Sequence, residues 1–536
     1  MKNENNFNMN YEANSCTSRG VCSISPNIAA LQELIIFFMK ESAHYLLELH
    51  KLGASNNKIN LNIINNIASL ISVNEYSESQ MYDMVMDDYF LLKNIKDTYY
   101  GMCKKNNIVP IELESDIYYN EQVTISKAIS LGEKLFLTNY KRHSLILKNL
   151  IEILMIMIKT TGIHLAKLYE FGIFDDEKYN FILKCLDELN KKQPDESTIK
   201  SKINELAIIN NKLQIQLCEL IFDKFGTIAK VNISRSTERG KAILVSGDNF
   251  FDLKNILEKT IDKDIDIYTH SNLLIAHTLQ EFRKYKHLKG HYGDTTQSCL
   301  LDFATFPGAI LMTKTSKSIT DYLYRGRLFS TDFTVPVGVV KIENNNFDEV
   351  IRASQEAKGF KKGKLKSEIS AGYNEQEIEQ KFEKISNALK SGKLSRLFII
   401  GMDSYSETRK EYYRQIFSNM KKDEFAISFY YESQNKNVLT INLGNYQPFA
   451  TNILFNYFAK YYPIDSENLT FFFTTCTITS LSDILIHKEF GAKNIYMENC
   501  PSSILNPTAF ENFTKEYNIK LTSDAFTDLK NIRTKK

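Results

Sequence analysis

The stretch Lys241–Phe282 reads "KAILVSGDNFFDLKNILEKTIDKDIDIYTHSNLLIAHTLQEF", and its reading decides the fold. "KAILVSG" is a short apolar run closed by glycine. The helix-like "DLKNILEKT" follows it. "DIDIYTH" then precedes "LLIAHTLQEF" in the same rhythm. Short apolar runs alternating with helical patterns predict a parallel sheet, because parallel strands need a crossover that is usually a helix.

Working outward from there, the alternation continues in "GAILMT" and "VGVVKI". A Lys/Gly-rich stretch, Lys358–Glu368, marks a loop or boundary. A helix over Asn374–Ser391 follows. A second series then runs through "RLFIIGM", "FAISFYY", "VLTINLG", "LTFFFTT" and "KNIYME". Two series predict two α/β domains. Upstream of Val231 the sequence reads as helix. Ser25-Pro26 supplies an N-cap and a first-turn proline. Leu31, Leu34, Ile35, Phe38, Tyr45, Leu49 and Leu52 then recur at helical spacing until Gly53 stops the run. Amphipathic stretches around Tyr76–Cys103, Glu121–Ile158 and Asp176–Phe225 extend this into a helical bundle. The expected class is α + α/β. Residues 1–230 form a helical domain, and residues 231–370 and 371–536 form two Rossmann-like domains with mainly parallel sheets.

Bulk composition narrows the function classes. The 536 residues suggest about three domains at roughly 100–200 residues each. Hydrophobic residues make up 43%, enough for a buried core. Lys+Arg (66) nearly balances Asp+Glu (64), so no basic domain points to nucleic acid. The opening "MKNENNFNMN" lacks the apolar segment of a secretory signal. The apolar run Leu150–Ile158 is far shorter than the ~20 residues of a membrane span. The expectation is a cytoplasmic protein that binds neither nucleic acid nor membrane, with its cysteines mostly buried as small hydrophobes.

In open α/β sheets, ligands bind beyond the carboxyl ends of the strands. In this chain those positions hold Asp248, Ser271 and Asn272, Lys314 and Ser316, Met402, Tyr431, Tyr446, and Thr477 and Thr479. The crest is aromatic, hydroxylic and amide-bearing, and poor in the thiolates and imidazoles that hold iron or zinc. Lys314 and Asp248 are a possible ion pair. The segment Ile267–Gln297 carries His270, His277, His287 and His291. The last two flank glycine-rich "KGHYG" instead of sharing a helix face, so hydrogen-bonded structural histidines are expected in preference to a metal site.

The wording "LVSGDNFFDLKNILEKT", "IYTHSNLLIAHTLQEFRKYKHLKGHYGDTTQ", "DFATFPGAILMTKTS" and "RGRLFST" resembles the hybrid cluster protein family, also called prismane proteins or hydroxylamine reductases. The resemblance continues in "RLFIIGMDSYSETRKEYY" and "HKEFGAKNIYMENCPSSILNP". It begins at "SCTSRGVCSISPNIAALQELIIF" and so runs from Cys16 to the end. It implies an N-terminal helical domain and two Rossmann-like domains, with an iron–sulfur–oxygen hybrid cluster held by one His, two Glu and four Cys.

Against that pattern this chain departs at every ligand. The family's histidine falls at Asp248 and one glutamate at Asn272. Cysteines fall at Ser316 and Met402. By ungapped alignment two more fall at Tyr431 and Tyr446. The second glutamate falls at Thr477, and a nearby lysine at Thr479. The family's N-terminal iron–sulfur cluster takes four cysteines; only Cys16 and Cys22 remain, with none upstream. Two thiols could make half a site, a bridge between subunits, a disulfide or plain buried thiols. Cys476, beyond "FFFTT", is the thiol nearest the expected pocket.

The resemblance and the departures together predict a relative without the cluster ligands. It is expected to be a catalytically inactive scaffold or binding protein with no cofactor, self-assembling or holding a protein partner. The alternative is an oxidoreductase acting on hydroxylamine or nitric oxide through an iron–sulfur cluster or other unusually ligated metal centre.

Overall fold

The structure is a computed structural model. It describes residues 25–54, 57–70, 76–293, 299–314, 324, 326–332, 335, 338–363, 367–475, 477–499 and 507–534. Two compact units emerge: Met1–Asn210 with Pro501–Lys515, and Asn211–Cys500 with Glu516–Lys536.

The first unit is helical. Ser25 caps the helix Pro26–Lys51, its hydroxyl accepting from the Ile28 amide at 3.2 Å. The stripe Leu31, Leu34, Ile35, Phe38, Tyr45 and Leu49 is buried as its spacing predicts. Ser77 and Gln80 form a reciprocal capping box on Glu78–Asn106. Helix Ile125–Arg142 approaches the first helix through Gly132, where a Cβ would stand 1.9 Å from the Ala30 carbonyl oxygen.

Two of the stretches read as continuous helix are broken. Ser144 ends the first and recaps Leu145–Glu170, its hydroxyl accepting from the Leu147 amide at 3.1 Å. Asp176–Glu188 is separated from Glu196–Phe225 around Pro194, and Asp195 accepts from the Thr198 amide at 2.8 Å. Helix Asn57–Ser69 is short and escaped the pattern reading.

The second unit carries the α/β architecture. β1 (Val231–Ser234) stands outside the main sheets. The first sheet contains β2 (Lys241–Ser246), β3 (Ile265–His270), β4 (Leu288–His291), β5 (Ala309–Met312), β6 (Leu328–Ser330) and β7 (Val340–Lys341). Their order is β4-β3-β2-β5-β6-β7 and all pairs are parallel. β8 (Glu368–Ala371) returns to pair antiparallel with β1.

The second sheet contains β9 (Arg396–Ile400), β10 (Glu424–Ser428), β11 (Val438–Thr440), β12 (Leu469–Phe473), β13 (Asn494–Met497) and β14 (Ile519–Leu521). It is likewise parallel, ordered β11-β10-β9-β12-β13-β14. Both orders reverse once, between β2 and β5 and between β9 and β12. This is the doubly wound Rossmann arrangement. The fold is therefore α + α/β, with a helical N-terminal part followed by two Rossmann-like parallel sheets.

The central strands β2, β5, β9 and β12 read as near-continuous apolar runs because both their faces are covered. One core of the first sheet gathers Tyr268, Tyr292, Phe303, Phe306 and Tyr324. Asn374 caps the helix Glu375–Lys390, its side chain accepting from the Glu377 amide at 3.1 Å. The segment after β3, read as helical, is instead a 3₁₀ helix over Ser271–Thr278. No helix among the described residues is long and apolar enough to cross a membrane.

Candidate functional site at the strand ends

A single reversal of strand order opens a crevice at the carboxyl ends of the central strands, where α/β proteins place their ligands. In the first sheet β2 runs into Gly247, whose φ of +133° turns the chain. Asp248 is half-buried. The Thr313 hydroxyl, just past β5, accepts from the Asp248 amide at 3.2 Å and the Asn249 amide at 3.3 Å. Asn249 then caps the helix Phe250–Thr260. The Lys314 amide donates at 3.1 Å to Asp252, which also accepts from the Thr331 hydroxyl at 2.6 Å. Burial pushes the Asp252 carboxyl up, against the lowering effect of Thr331 and Lys314. The Lys314 backbone goes to Asp252, and the Lys314 charge acts on the same carboxyl.

At the end of β3, Ser271 adopts φ +59°, a left-handed conformation unusual for serine. Asn272 follows, half-buried, with the Ser271 hydroxyl 3.4 Å from its Oδ1.

The four histidines of this region each hold hydrogen bonds within the fold. His270 contacts the Ser246 hydroxyl at 2.9 Å through Nδ1 and Asp302 at 3.2 Å through Nε2. The Thr269 hydroxyl sits between His277 Nε2 (2.8 Å) and His291 Nδ1 (2.9 Å). His277 is also hydrogen-bonded to the Gly290 backbone, and burial lowers its pKa to about 4. Its neutral ring therefore donates to the Gly290 carbonyl and accepts from Thr269, leaving that oxygen to accept from His291. His287 reaches the Thr260 hydroxyl and the Leu257 carbonyl, both at 3.1 Å.

The second sheet's crest is denser. After β9 come Gly401, with φ +79°, then Met402 and Asp403, both buried. Met402 Sδ lies 3.3 Å from His487 Nε2. His487 Nδ1 donates to the Asp483 carbonyl at 2.7 Å, and rings of Phe455, Phe471 and Phe473 surround the imidazole at 5.1–5.5 Å. Burial lowers the His487 pKa to about 4, so the ring is neutral and its bare Nε2 faces the sulfur.

Asp403 accepts from the Thr474 and Thr475 amides and from the hydroxyls of Thr475 (2.8 Å) and Ser480 (2.9 Å). Thr477 caps the helix Ile478–Glu489, accepting from the Ser480 amide at 3.1 Å, and its hydroxyl lies 2.9 Å from that of Thr479. Asp483 accepts from Gln214 Nε2 at 3.1 Å, while Gln214 Oε1 accepts from the Thr451 hydroxyl at 2.6 Å. Burial raises the Asp483 pKa to about 8.

Tyr431 and Tyr446 are buried and already engaged. The Tyr431 hydroxyl accepts from the Ser406 amide at 3.0 Å and donates to the Ser406 carbonyl at 3.1 Å. Its ring lies against Tyr405 and Tyr413. Tyr446 packs on Phe250 and Phe449, each at 5.2 Å between ring centroids.

The structure brings the candidate residues together in two sets. Met402, Thr477 and Thr479 gather around Asp403 and Ser480. Tyr446 meets Phe250, two residues after Asp248. Gly444 presses on Ile275, three residues after Asn272; a Cβ at Gly444 would stand 2.9 Å from the Ile275 amide nitrogen. Ser316, Cys16, Cys22, Cys476 and Cys500 lie outside the described residues. Cys103, Cys185, Cys218 and Cys299 are buried and unbridged. Burial pushes the Cys185 thiol up to about 12 and raises the Cys218 thiol well above its ordinary value.

Sequence reading missed Asp403, Asp483, His487 and Gln214. Asp403 is one residue beyond the strand-end position that was read. The other three sit on helices whose inward faces the sequence does not single out.

A model of the Prismane/CO dehydrogenase family matches residues 10–428 of this chain. A hydroxylamine reductase of Thermodesulfovibrio yellowstonii is 25% identical over 425 residues, covering 78% of this chain and 76% of its own. One from Clostridium novyi is 27% identical over 427 residues, with 77% and 75% covered. A solved structure of the alpha subunits of acetyl-CoA synthase/carbon monoxide dehydrogenase aligns at 11% identity and a TM-score of 0.49, covering 96% of this chain and 83% of that one.

Proposed function

We propose, since the chain belongs to the Prismane/CO dehydrogenase family, that it is a member which has given up the cluster ligands and keeps the scaffold for binding or assembly. The observation that carries this reading is the state of Met402, Tyr431 and Tyr446. The resemblance assigns cysteines to all three positions. Here they are a thioether against a buried imidazole, a phenol closed on the Ser406 backbone, and a ring between two phenylalanines.

An iron–sulfur or hybrid cluster needs deprotonated, convergent donors, chiefly thiolates. A thioether is a weak donor. The Tyr431 phenol is held above its ordinary pKa by burial, which disfavours the phenolate a metal would need. The Asp403 carboxylate is saturated by two amides and two hydroxyls. The described donor set does not fit the family's cluster. The packed rings instead fill the volume a large cofactor would occupy, as close-packed interiors favour.

The experiment is purification without oxygen followed by iron and acid-labile sulfide analysis. The expected result is substoichiometric iron and sulfide, with no hydroxylamine reduction by reduced dyes. Stoichiometric iron and sulfide would overturn the reading in favour of a hydroxylamine reductase, the activity that the relatives' names carry, or a nitric oxide reductase. The proposed partner is a second copy of this chain or another protein; pull-down and light scattering address it.

A further inference from the structure

The second unit holds four tyrosines in contact, and their hydroxyls are not equivalent. Tyr405 and Tyr431 ring centroids are 5.1 Å apart, Tyr431 and Tyr413 4.6 Å, and Tyr413 and Tyr412 5.0 Å. Tyr405, at one end, is half-buried and donates to the exposed Glu407 carboxylate. Tyr412, at the other end, is buried and donates at 2.7 Å to Asp528, which is buried too. Among the described residues the two middle phenols have no carboxylate partner. Tyr431 donates to a backbone carbonyl, and the Tyr413 hydroxyl is buried with no hydrogen-bond partner among the described residues.

We propose that Tyr405, Tyr431, Tyr413 and Tyr412 form a relay for an oxidising equivalent, loaded at Tyr405 by a one-electron oxidant such as an inorganic oxygen-centred radical and stored at Tyr412. Oxidation of a phenol is easy when its proton can leave to a base, and the two ends have one each. Tyr405 loses an electron to the oxidant and its proton to Glu407, giving a neutral phenoxyl. An electron then passes back from Tyr412 through Tyr413 and Tyr431. Tyr405 recovers its proton from Glu407, and the Tyr412 proton moves to Asp528.

The net change is one oxidant reduced by one electron, one phenoxyl at Tyr412 and one proton on Asp528. The middle rings carry charge only in passing, because neither can shed its proton to a carboxylate. Arg409 stands 4.8 Å over the Tyr412 ring and would disfavour positive charge there; its pairing with Glu498 offsets this, and deprotonation to Asp528 keeps the stored radical neutral. No iron is required, so the relay stands whether or not the chain binds a cluster.

The test uses the full chain and photogenerated tris(bipyridine)ruthenium(III) as oxidant, with tyrosyl radicals followed by electron paramagnetic resonance and transient absorption. A long-lived tyrosyl signal is expected in the parent, protected from solvent at Tyr412. Tyr412→Phe, Tyr413→Phe and Tyr405→Phe should each lose it. Tyr413→Phe is the deciding variant: it keeps the ring and removes only a hydroxyl without a partner, so a purely packing role predicts no change. Unfolding midpoints of the three variants establish that each is folded. A folded Tyr413→Phe with the parent's yield and lifetime, or a parent with no long-lived signal, overturns the relay.

Discussion

The Sδ atom of Met402 stands 3.3 Å from Nε2 of His487, and neither group is exposed. The sulfur is polarizable and unbranched enough to fill the space beside a neutral ring. Met402→Ala should cost about 2–5 kcal/mol through lost contacts and the cavity left behind. Met402→Leu should cost less than about 1.5 kcal/mol because it conserves volume. Chemical denaturation of both variants checks the order.

Asp483 makes a pH prediction of definite sign. Its carboxyl titrates at about 8 when folded against an ordinary 3.8. The folded state therefore holds a proton that the unfolded chain sheds. The contribution is fully present below pH 3.8 and is lost as pH rises toward 8, by about 4 kcal/mol at pH 7 at ~1.4 kcal/mol per unit. Asp483→Asn keeps an acceptor for Gln214 and cannot ionise. Its stability relative to the parent should be greater at pH 8 than at pH 5, measured by unfolding midpoints at the two pH values.

His487 works in the opposite sense. Folded at about 4 and ordinarily at 6.5, it favours the folded state above pH 6.5, and that contribution is lost as pH falls to 4. His487→Gln should blunt the acid limb of the stability profile and leave the alkaline limb as in the parent.

Thr269 should be intolerant of losing its hydroxyl. It serves His277 and His291 at once. Thr269→Val keeps the shape and strands two buried ring nitrogens, at a cost of about 1–3 kcal/mol. Thr269→Ser should retain most of the stability. Thermal melts of the pair separate the hydroxyl from the methyl.

Ser271 should gain from glycine. Its φ of +59° strains any residue with a Cβ. Its hydroxyl makes a long, 3.4 Å contact with Asn272. Ser271→Gly should stabilise by about 0.5–1 kcal/mol, readable as a raised unfolding midpoint.

The fold was legible where a sequence signal and a tertiary need coincide. "KAILVSG" and "RLFIIGM" became β2 and β9, the buried strands on which both sheets are built. Ser25-Pro26 and Asn374 capped the helices they were read to start. The signal failed where length or chemistry ran short. β4 hides in "KHLKGHYG", whose Gly290 lies against the Ser234 carbonyl, where a Cβ would come within 2.1 Å. β1, β8 and β14 span only three or four residues each. The candidate site was legible in outline, because strand ends are readable and residues such as Met402 and Tyr446 follow them. Its second layer was not. Asp483 and His487 share the helix Ile478–Glu489 while Gln214 comes from Glu196–Phe225, and only the folded chain brings them together.

The pairing of β1 with β8 carries a consequence for how the chain is assembled. Val231 stands opposite Ala371 and Ser234 opposite Glu368, and the Gly240 and Phe360 backbones are bonded to each other as a second stitch. The whole first sheet is thus threaded between two neighbouring points of the backbone. Such a segment is a cassette: its ends are spliced side by side, so it can be excised, exchanged for a homologous insert or reopened at a loop without re-routing the remaining chain.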